Sequence, residues 1–260
     1  IPRRDRSMSV TIIIPARFAS ARLPGKPLAD LGGKPMIQRV YEQVKQADVD
    51  RIIVAPDDER IADVVSALGA EVCMTALSHH SGTDRIAEVI EKKQLPDDEI
   101  IINLQCDEPF VPIENIVQLI DVLQTKQEVN MATLCELITD EATAFNPHMV
   151  KVVFDKNNHA LYFSRASIPW HRDTFVDGRV KTPEAMFLYL HVGIYAYRAG
   201  FVKRYVQWPV APLEKLEALE QLRVLWNDER IYVEEAKMPA GMGINTSDDL
   251  EKARRLIAGA

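Results

Sequence analysis

The sequence predicts an α/β fold: a mostly parallel sheet with helices on both faces and an inserted lobe. Short apolar runs at residues 10–14, 51–55 and 99–104 lack polar alternation, which is typical of strands buried on both faces. Segments with apolar residues at helical spacing separate these runs, and the connections are short. Such strand–helix alternation is typical of a parallel sheet that is covered by helices.

The alternation of strands and helices extends from residue 10 to residue 123. A short strand is predicted at 71–74. Asp57, Asp58 and Glu59 place acidic side chains at the start of the second helix, where they suit its dipole. Gly69 is expected to end that helix. The apolar faces of the predicted helices lie within residues 36–44, 61–68, 86–90 and 116–123.

The pattern changes after about residue 130. The sequence then predicts strands at 131–137, 187–197 and 231–235, a hairpin of 150–155 with 159–164, and a loop at 170–182. Thr246 or Ser247 is expected to cap a final helix. Five leucines are expected to line the core side of one helix: Leu213, Leu216, Leu219, Leu222 and Leu225.

We interpret residues 8–260 as a single domain. We interpret residues 136–210 as an inserted lobe of this domain and not as a separate domain, because no Gly/Ser-rich linker bounds them. Residues 1–7 are interpreted as a leader from an expression vector, with Met8 as a plausible native start.

Composition narrows the function classes. The 260 residues carry a net charge of −7, which argues against a general nucleic-acid binder. No apolar run approaches the length of a membrane span, and no signal-peptide core is present. Cys73, Cys106 and Cys135 are widely spaced without a CxxC pair, so neither a zinc site nor a disulfide framework is indicated. We therefore expect an intracellular, reducing compartment.

A basic loop follows the first predicted strand. Arg17, Arg22 and Lys26 lie among small residues, with a Pro24-Gly25 turn and no acidic residue between positions 9 and 27. Cations on a tight loop whose backbone N–H groups can approach a ligand suit a polyphosphate. The charges alone are equally consistent with a solvated basic loop.

Two further groups follow predicted strands. Residues 81–85 (SGTDR) and 105–107 (QCD) could meet the basic loop, because ligands of parallel sheets bind at the carboxyl ends of the strands. Asp107 is well placed for Mg²⁺, which often takes one or two carboxylates together with substrate phosphates. In isolation, Asp107 could equally cap the next helix or turn.

The lobe contains a third candidate group. Arg165 ends the predicted hairpin, and His191 and Tyr195 share one face of a strand. Together they could bind an acidic sugar, with the Arg contacting its carboxylate in a bidentate manner. The residues alone favour a simpler reading, a surface Arg and a partly buried aromatic pair. His79 and His80 fit a loop better than a metal pair, because adjacent side chains on a strand point apart.

Six segments together resemble one enzyme family. The stretch IPARFASARLPGKP at residues 14–27 resembles the signature of the sugar-activating cytidylyltransferases. That motif alone also suits the CMP-sialate synthetases. The segments at 162–170 and 219–226 favour the branch that activates 3-deoxy-manno-octulosonate (KDO). The other matching segments are residues 80–85, 105–109 and 191–195.

The resemblance implies a Rossmann-like nucleotidyltransferase fold, a homodimer and a cytoplasmic enzyme that requires Mg²⁺. The implied reaction transfers CMP from CTP to the anomeric hydroxyl of KDO, giving CMP-KDO and pyrophosphate for lipopolysaccharide biosynthesis. The alternatives are another acidic sugar, such as an amino-KDO or a sialic acid, and a nucleotide-binding protein without turnover.

The resemblance also implies roles for individual residues. Lys26, Arg22 and Asp107 would be catalytic, and Asp107 and Asn245 would hold the metal. The residues implied to bind the nucleotide are Ala16, Arg17, Ser20, Arg22, Lys26, Ser81, Gly82, Arg85 and Gln105. Those implied to bind the sugar are Arg165, His191, Tyr195, Glu220 and Gln221.

Three positions depart from the family pattern. Cys106 replaces a Gly, Pro56 replaces a Thr, and Asn245 replaces a second magnesium-binding Asp. An Asn keeps one ligand oxygen but loses a charge, so we expect weaker binding of Mg²⁺.

Overall fold

We describe the protein from a computed structural model, which covers residues 8–20, 23–79, 81–176, 179–180 and 187–259. The strands of the main sheet are β1 (Val10–Ala16), β2 (Arg51–Pro56), β3 (Glu71–Val72), β4 (Ile100–Asn103), β5 (Met131–Leu137), β6 (Lys151–Phe154), β7 (Ala160–Ser164), β10 (Tyr189–Arg198) and β11 (Tyr232–Glu235). A separate two-stranded sheet contains β8 (Phe175–Val176) and β9 (Arg179–Val180).

The helices follow the predicted alternation in the first half of the chain. They are α1 (Met36–Val44), α2 (Glu59–Ala67), α3 (Gly82–Lys92), α4 (Ile113–Thr125), α5 (Glu141–Phe145), α6 (Ala199–Tyr205), α7 (Pro212–Glu217), α8 (Leu222–Trp226) and α9 (Ser247–Ala258). A single 3₁₀ turn spans Lys26–Leu28. Among the described residues, no helix combines the length and the apolar character that a membrane crossing needs.

The main sheet is mostly parallel, as predicted. Its order is β11-β5-β10-β4-β1-β2-β3, and β1 pairs in parallel with both β2 and β4. Strand β10 runs antiparallel to β4 and β5, on either side of it. The hairpin of β6 and β7 joins the first residues of β10. The parallel strands therefore direct their carboxyl ends to one edge.

The core lies on both faces of this sheet. Successive residues of β1 point to opposite faces, so Ile12 and Ile14 join one apolar cluster while Ile13 joins the other. All three side chains are fully buried. The unalternated Ile run therefore predicted a central strand correctly.

The single leucine-lined helix predicted around residue 219 is wrong. The chain forms α7 and α8 instead, with Ala218 between them in a left-handed conformation at φ 51°. Leu222 is fully buried, whereas Leu216 is 81% exposed. The physical reason is the spacing, because a step of three residues turns about 300° on a helix and five such leucines cannot share one side.

The predicted loop at 170–182 contains regular structure. Strands β8 and β9 pair in antiparallel fashion within it. Phe175 is buried in a small cluster with Leu188, and its ring lies 5.0 Å from that of Phe145. The buried Phe175 attaches this polar segment to the core. The charged residues around it made the sequence resemble a loop. Residues 177–178 and 181–182 of this stretch lie outside the described residues.

Candidate active site

The loop after β1 folds back through its Pro-Gly turn. Gly25 adopts φ +64°, which favours glycine, and its N–H donates to the carbonyl oxygen of Phe18 at 3.3 Å. The 3₁₀ turn that follows places Lys26 inside, at 9% exposure, while Arg17 remains exposed. Arg22, the other predicted cation, lies outside the described residues.

A pocket opens beside this loop at the carboxyl ends of β1 and β4. Seven of the residues implied to bind nucleotide line it together with Asp107: Arg17, Ser20, Lys26, Ser81, Gly82, Arg85 and Gln105. Ala16 lies fully buried at the end of β1 and does not line it. The basic loop, the start of α3 and the segment after β4 therefore meet at one pocket, as predicted, whereas each residue's contact with a nucleotide stays a prediction.

Helix α3 begins at the pocket with a reciprocal cap. The Ser81 hydroxyl oxygen accepts from the Asp84 N–H at 3.1 Å, and the Asp84 carboxylate accepts from the Ser81 N–H at 3.2 Å. The positive end of the helix dipole thus faces the pocket. A Cβ at Gly82 would lie 3.2 Å from the Gln105 amide nitrogen, so a larger residue there would displace that pocket side chain.

Three segments meet around one ammonium group. Lys26 Nζ lies 2.6 Å from Asp107 Oδ2 and 3.3 Å from Asn245 Oδ1. The Ile244 N–H donates to the Asp107 carbonyl oxygen at 2.9 Å, which holds the distant C-terminal segment beside β4. The structure therefore places Asn245 next to Asp107, as the resemblance implies. A carboxylate and an amide oxygen converge on one cation, which is a geometry that also suits Mg²⁺.

The carboxylate supply at this point is small. Within the described ranges, no three His, Cys, Asp or Glu side chains are grouped so that they could hold a metal. A magnesium ion here would have Asp107 and Asn245 as protein ligands and would need further oxygens from a bound molecule or water.

The environment of Cys106 disfavours the thiolate form of its side chain. Burial raises the pKa of its thiol to about 12, with a further contribution from the Asp107 charge. The thiol is therefore protonated at neutral pH, and the thiolate is the reactive form. Its side chain lines the pocket and packs against one of the core clusters. The larger residue is accommodated where the family usually has Gly.

Arg85 has a different environment from the one implied. The residue is 2% exposed, and its guanidinium forms an ion pair with Asp57, Nη2 to Oδ2, at 3.0 Å. It also donates to the Thr75 hydroxyl. Arg85 reaches the pocket wall, but its donors are directed to protein acceptors.

Asp57 was missed as a site residue by the sequence reading, which placed it in the first turn of α2. In the structure Asp58 alone caps that helix, and its carboxylate accepts from the Arg60 N–H at 2.9 Å. Asp57 follows β2 and is 8% exposed. The rule that singled out Asp107, an acid directly after a buried strand, would have found it.

The sugar candidates on β10 lie close together. The rings of His191 and Tyr195 are 5.4 Å apart, and His191 Nε2 lies 3.0 Å from the Thr133 hydroxyl. Burial lowers the pKa of His191 to about 3, so the imidazole is neutral at physiological pH. Burial also raises the pKa of Tyr195 well above its ordinary value.

Arg165 is held by backbone carbonyls. Its guanidinium donates to the carbonyl oxygens of Glu217 at 2.6 Å, Pro147 at 3.0 Å and Ala218 at 3.4 Å. These bonds fix the end of β7 against the end of α7. Arg165 is half-buried and its contacts with Pro147 and Ala218 are exposed, which is compatible with the simpler reading of a surface Arg. Its contact with a sugar stays a prediction.

Glu220 connects the lobe to the nucleotide side. Its Oε1 accepts from the Thr83 hydroxyl at 3.1 Å, one residue beyond Gly82. Its Oε2 is buried and has no hydrogen-bond partner among the described residues. Burial raises the pKa of this carboxyl group. Gln221, next to it, is 4% exposed. A buried acceptor without a donor is the feature that a substrate hydroxyl could satisfy.

Comparison with known proteins gives a consistent family. A sequence model described as cytidylyltransferase matches residues 11–231. The 3-deoxy-manno-octulosonate cytidylyltransferase of Histophilus somni is 54% identical over 255 residues, covering 96% of this chain and 99% of the relative. The enzyme of that name from Photobacterium profundum is 55% identical over 252 residues, covering 96% and 100%.

Solved structures agree with this fold. A CMP:2-keto-3-deoxy-manno-octonic acid synthetase complexed with CTP superposes with a TM-score of 0.87 at 42% identity, over 96% of this chain and 99% of that one. The 4-diphosphocytidyl-2C-methyl-D-erythritol synthase of Anaerococcus prevotii reaches 0.62 at 15% identity and shares the fold alone, covering 96% of each chain. The Rossmann-like nucleotidyltransferase fold is confirmed. The chain belongs to the cytidylyltransferase family and, within it, to the 3-deoxy-manno-octulosonate cytidylyltransferases.

Proposed function

We propose that the chain transfers CMP from CTP to the anomeric hydroxyl of KDO and releases pyrophosphate. The observation that carries this proposal is the pocket at the ends of β1 and β4. Arg17 and Lys26 of the basic loop line it together with Asp107, in a chain that is 54% identical to an enzyme of this name. Lipopolysaccharide biosynthesis is the implied use of the product.

The chemistry is a direct displacement at phosphorus. The anomeric oxygen forms a bond to the α-phosphorus while the bond from that phosphorus to the bridging oxygen of pyrophosphate breaks. The hydroxyl proton is lost to solvent, and the leaving group keeps the electron pair. Lys26 and Arg17 offset the charge that develops on the phosphates, and Arg22 is proposed to do the same. No covalent enzyme intermediate is required, in keeping with the protonated Cys106 thiol.

We propose Mg²⁺ as the cofactor. Asp107 and Asn245 would hold it, because their oxygens already converge on the Lys26 ammonium as they would on a metal. When bound, the ion would neutralise phosphate charge and increase the acidity of a bound hydroxyl. Lys26 is then free to interact with the triphosphate.

The sugar is proposed to occupy the space among the lobe residues, with Gln221 as a further polar contact. The buried Oε2 of Glu220 can accept a hydrogen bond from a sugar hydroxyl. The neutral imidazole of His191 can exchange hydrogen bonds without a charge of its own. Arg165 is proposed to bind the sugar carboxylate through Nη2. Of the three guanidinium contacts given above, the one from Nη2 to the Ala218 carbonyl oxygen is the longest, at 3.4 Å. Tyr195 packs its ring against His191.

We further propose a cytoplasmic homodimer. Leu161 on β7 is 62% exposed and Trp226 on α8 is 56% exposed, and β7 pairs only with β6 among the described strands. An exposed apolar edge of this kind suits a second protein surface. The free cysteines Cys73, Cys106 and Cys135 suit a reducing compartment. Sedimentation measurements test the dimer.

The decisive experiment is a pyrophosphate-release assay with CTP and Mg²⁺, with CMP-KDO identified by NMR. We expect release only when KDO is added. Equal release with sialic acid would exclude the sugar assignment, and release without sugar would exclude transfer. Binding of CTP in calorimetry without any product would identify a nucleotide-binding protein that lacks turnover.

A further inference from the structure

We infer that Asp57 is a positioning residue that joins the two walls of the nucleotide pocket. Its two carboxylate oxygens hold different segments. Oδ1 accepts from the backbone N–H of Phe18 at 2.8 Å, and Oδ2 accepts from Arg85 Nη2 at 3.0 Å. Phe18 belongs to the basic loop, and Arg85 belongs to α3. The inference rests on the proposed nucleotide pocket and assigns the residue that sets its width.

The Phe18 side of this connection fixes the basic loop. Phe18 lies directly after Arg17, which lines the pocket, and its carbonyl oxygen accepts from Gly25, directly before Lys26. The Arg60 guanidinium also lies 3.7 Å from the centre of the Phe18 ring. A single residue of the loop is therefore attached at its N–H, its carbonyl and its ring.

The Arg85 side fixes the start of α3. The Arg85 guanidinium also donates to the Thr75 hydroxyl, which in turn donates to the Pro56 carbonyl oxygen at 2.9 Å. Arg85 lies one turn beyond Ser81 and Gly82, which line the pocket together with Arg17. Asp57 thus sets the distance between the loop that carries Arg17 and the helix start that carries Ser81.

The carboxylate cannot be replaced by an amide here. Both contacts are made by N–H donors, so both Asp57 atoms must be acceptors. An Asn offers one acceptor oxygen and one NH₂ group, which would face a donor. The ion pair is also buried, with side-chain exposures of 3% for Arg85 and 1% for Asp57. Removal of the charge would leave the guanidinium buried without a counter-ion.

The test measures CTP binding by calorimetry without sugar, using Asp57→Asn. Loss of one charged hydrogen bond in the pocket wall predicts an affinity for CTP that is about 10-fold to 100-fold weaker. The matched control is Asp58→Asn, a neighbouring acid-to-amide change at a residue that does not line the pocket. Asn is itself a favoured N-cap residue, so this variant keeps a side-chain cap on α2. We expect D57N also to raise KM for CTP and not for KDO, and to speed amide hydrogen exchange at Phe18.

A second pair of variants spares the buried ion pair. Phe18→Pro removes the backbone N–H that donates to Asp57. Phe18→Leu keeps this N–H and loses only the aromatic ring. We expect F18P to bind CTP more weakly than F18L by about 10-fold. If F18P and F18L bind CTP equally, or if D57N binds no more weakly than D58N, the inference is wrong. The proposed function is tested separately, by CMP-KDO formation with the unaltered chain.

Discussion

Replacement of Asn245 by Asp should strengthen the use of Mg²⁺. Asn245 Oδ1 and Asp107 Oδ2 lie 3.3 Å and 2.6 Å from the same Lys26 Nζ. The side chains of Lys26 and Asp107 are only 11% and 17% exposed, so water screens this point weakly. Of Lys26, Asp107 and Asn245, only Asp107 carries a negative charge, and it would serve both Lys26 and a metal ion. A second carboxylate would allow both cations to be held.

The size of the effect follows from the charges. A unit charge about 4 Å from another contributes about 4 kcal/mol at an effective dielectric constant of about 20, and a dication about twice that. Desolvation of the new carboxylate offsets several kcal/mol of this gain. The attraction of the carboxylate to Lys26 offsets more, because it is already present before the metal binds. A net gain of about 1–3 kcal/mol remains, which corresponds to a half-saturating Mg²⁺ concentration about 5-fold to 150-fold lower.

The assay is the initial rate of pyrophosphate release against Mg²⁺ concentration, with CTP and KDO saturating. N245D should turn over faster at limiting Mg²⁺ and more nearly like the unaltered chain at high Mg²⁺. Asn157→Asp is the matched control, because Asn157 is exposed in the turn between β6 and β7. An unchanged magnesium dependence in N245D would show that residue 245 is not at the metal.

Further predictions concern charge, pH and packing. Lys26→Met should lower kcat/KM for CTP by about 100-fold or more, since a preorganised charge is lost, whereas Lys34→Met should not. Burial lowers the pKa of His191 from 6.5 to about 3. Between these pH values, His191 is therefore protonated in the unfolded chain and neutral in the folded chain. The free energy of unfolding should therefore fall as pH drops from about 6.5 towards 3, and His191→Asn should flatten that dependence in urea titrations. Glu220→Gln should raise KM for KDO and leave KM for CTP unchanged in steady-state kinetics. Ile13→Ala should lower the free energy of unfolding by about 2–5 kcal/mol, measured by denaturant titration, because the side chain is fully buried.

Much of the fold was accessible from local patterns. The run of Ile residues in β1 lacks alternation because both of its faces are covered, and a sequence records that directly. The strand ends then located the basic loop, the start of α3 and Asp107 at one pocket. These features depend on neighbours in the chain and on the general direction of parallel strands.

Other features depend on contacts that no local pattern encodes. Lys26 and Asn245 are 219 positions apart, so only the family resemblance could bring them together. Asp57 and Asp58 are identical neighbours, yet one caps α2 and the other turns inward to Arg85. Asp58 bonds to the nearby Arg60, whereas the direction of the Asp57 side chain is decided by Phe18 and Arg85 from elsewhere in the chain.

Strand β10 has a consequence for how the two substrates meet. It carries His191 and Tyr195, and Tyr195 pairs with Asn103 of β4, two residues before Gln105 of the nucleotide pocket. The register of one antiparallel ladder therefore sets the position of Tyr195, a proposed sugar-binding residue, relative to Gln105 of the nucleotide pocket. Changes in the surrounding loops would therefore leave the spacing between Tyr195 and the end of β4 unaltered, because backbone hydrogen bonds set it.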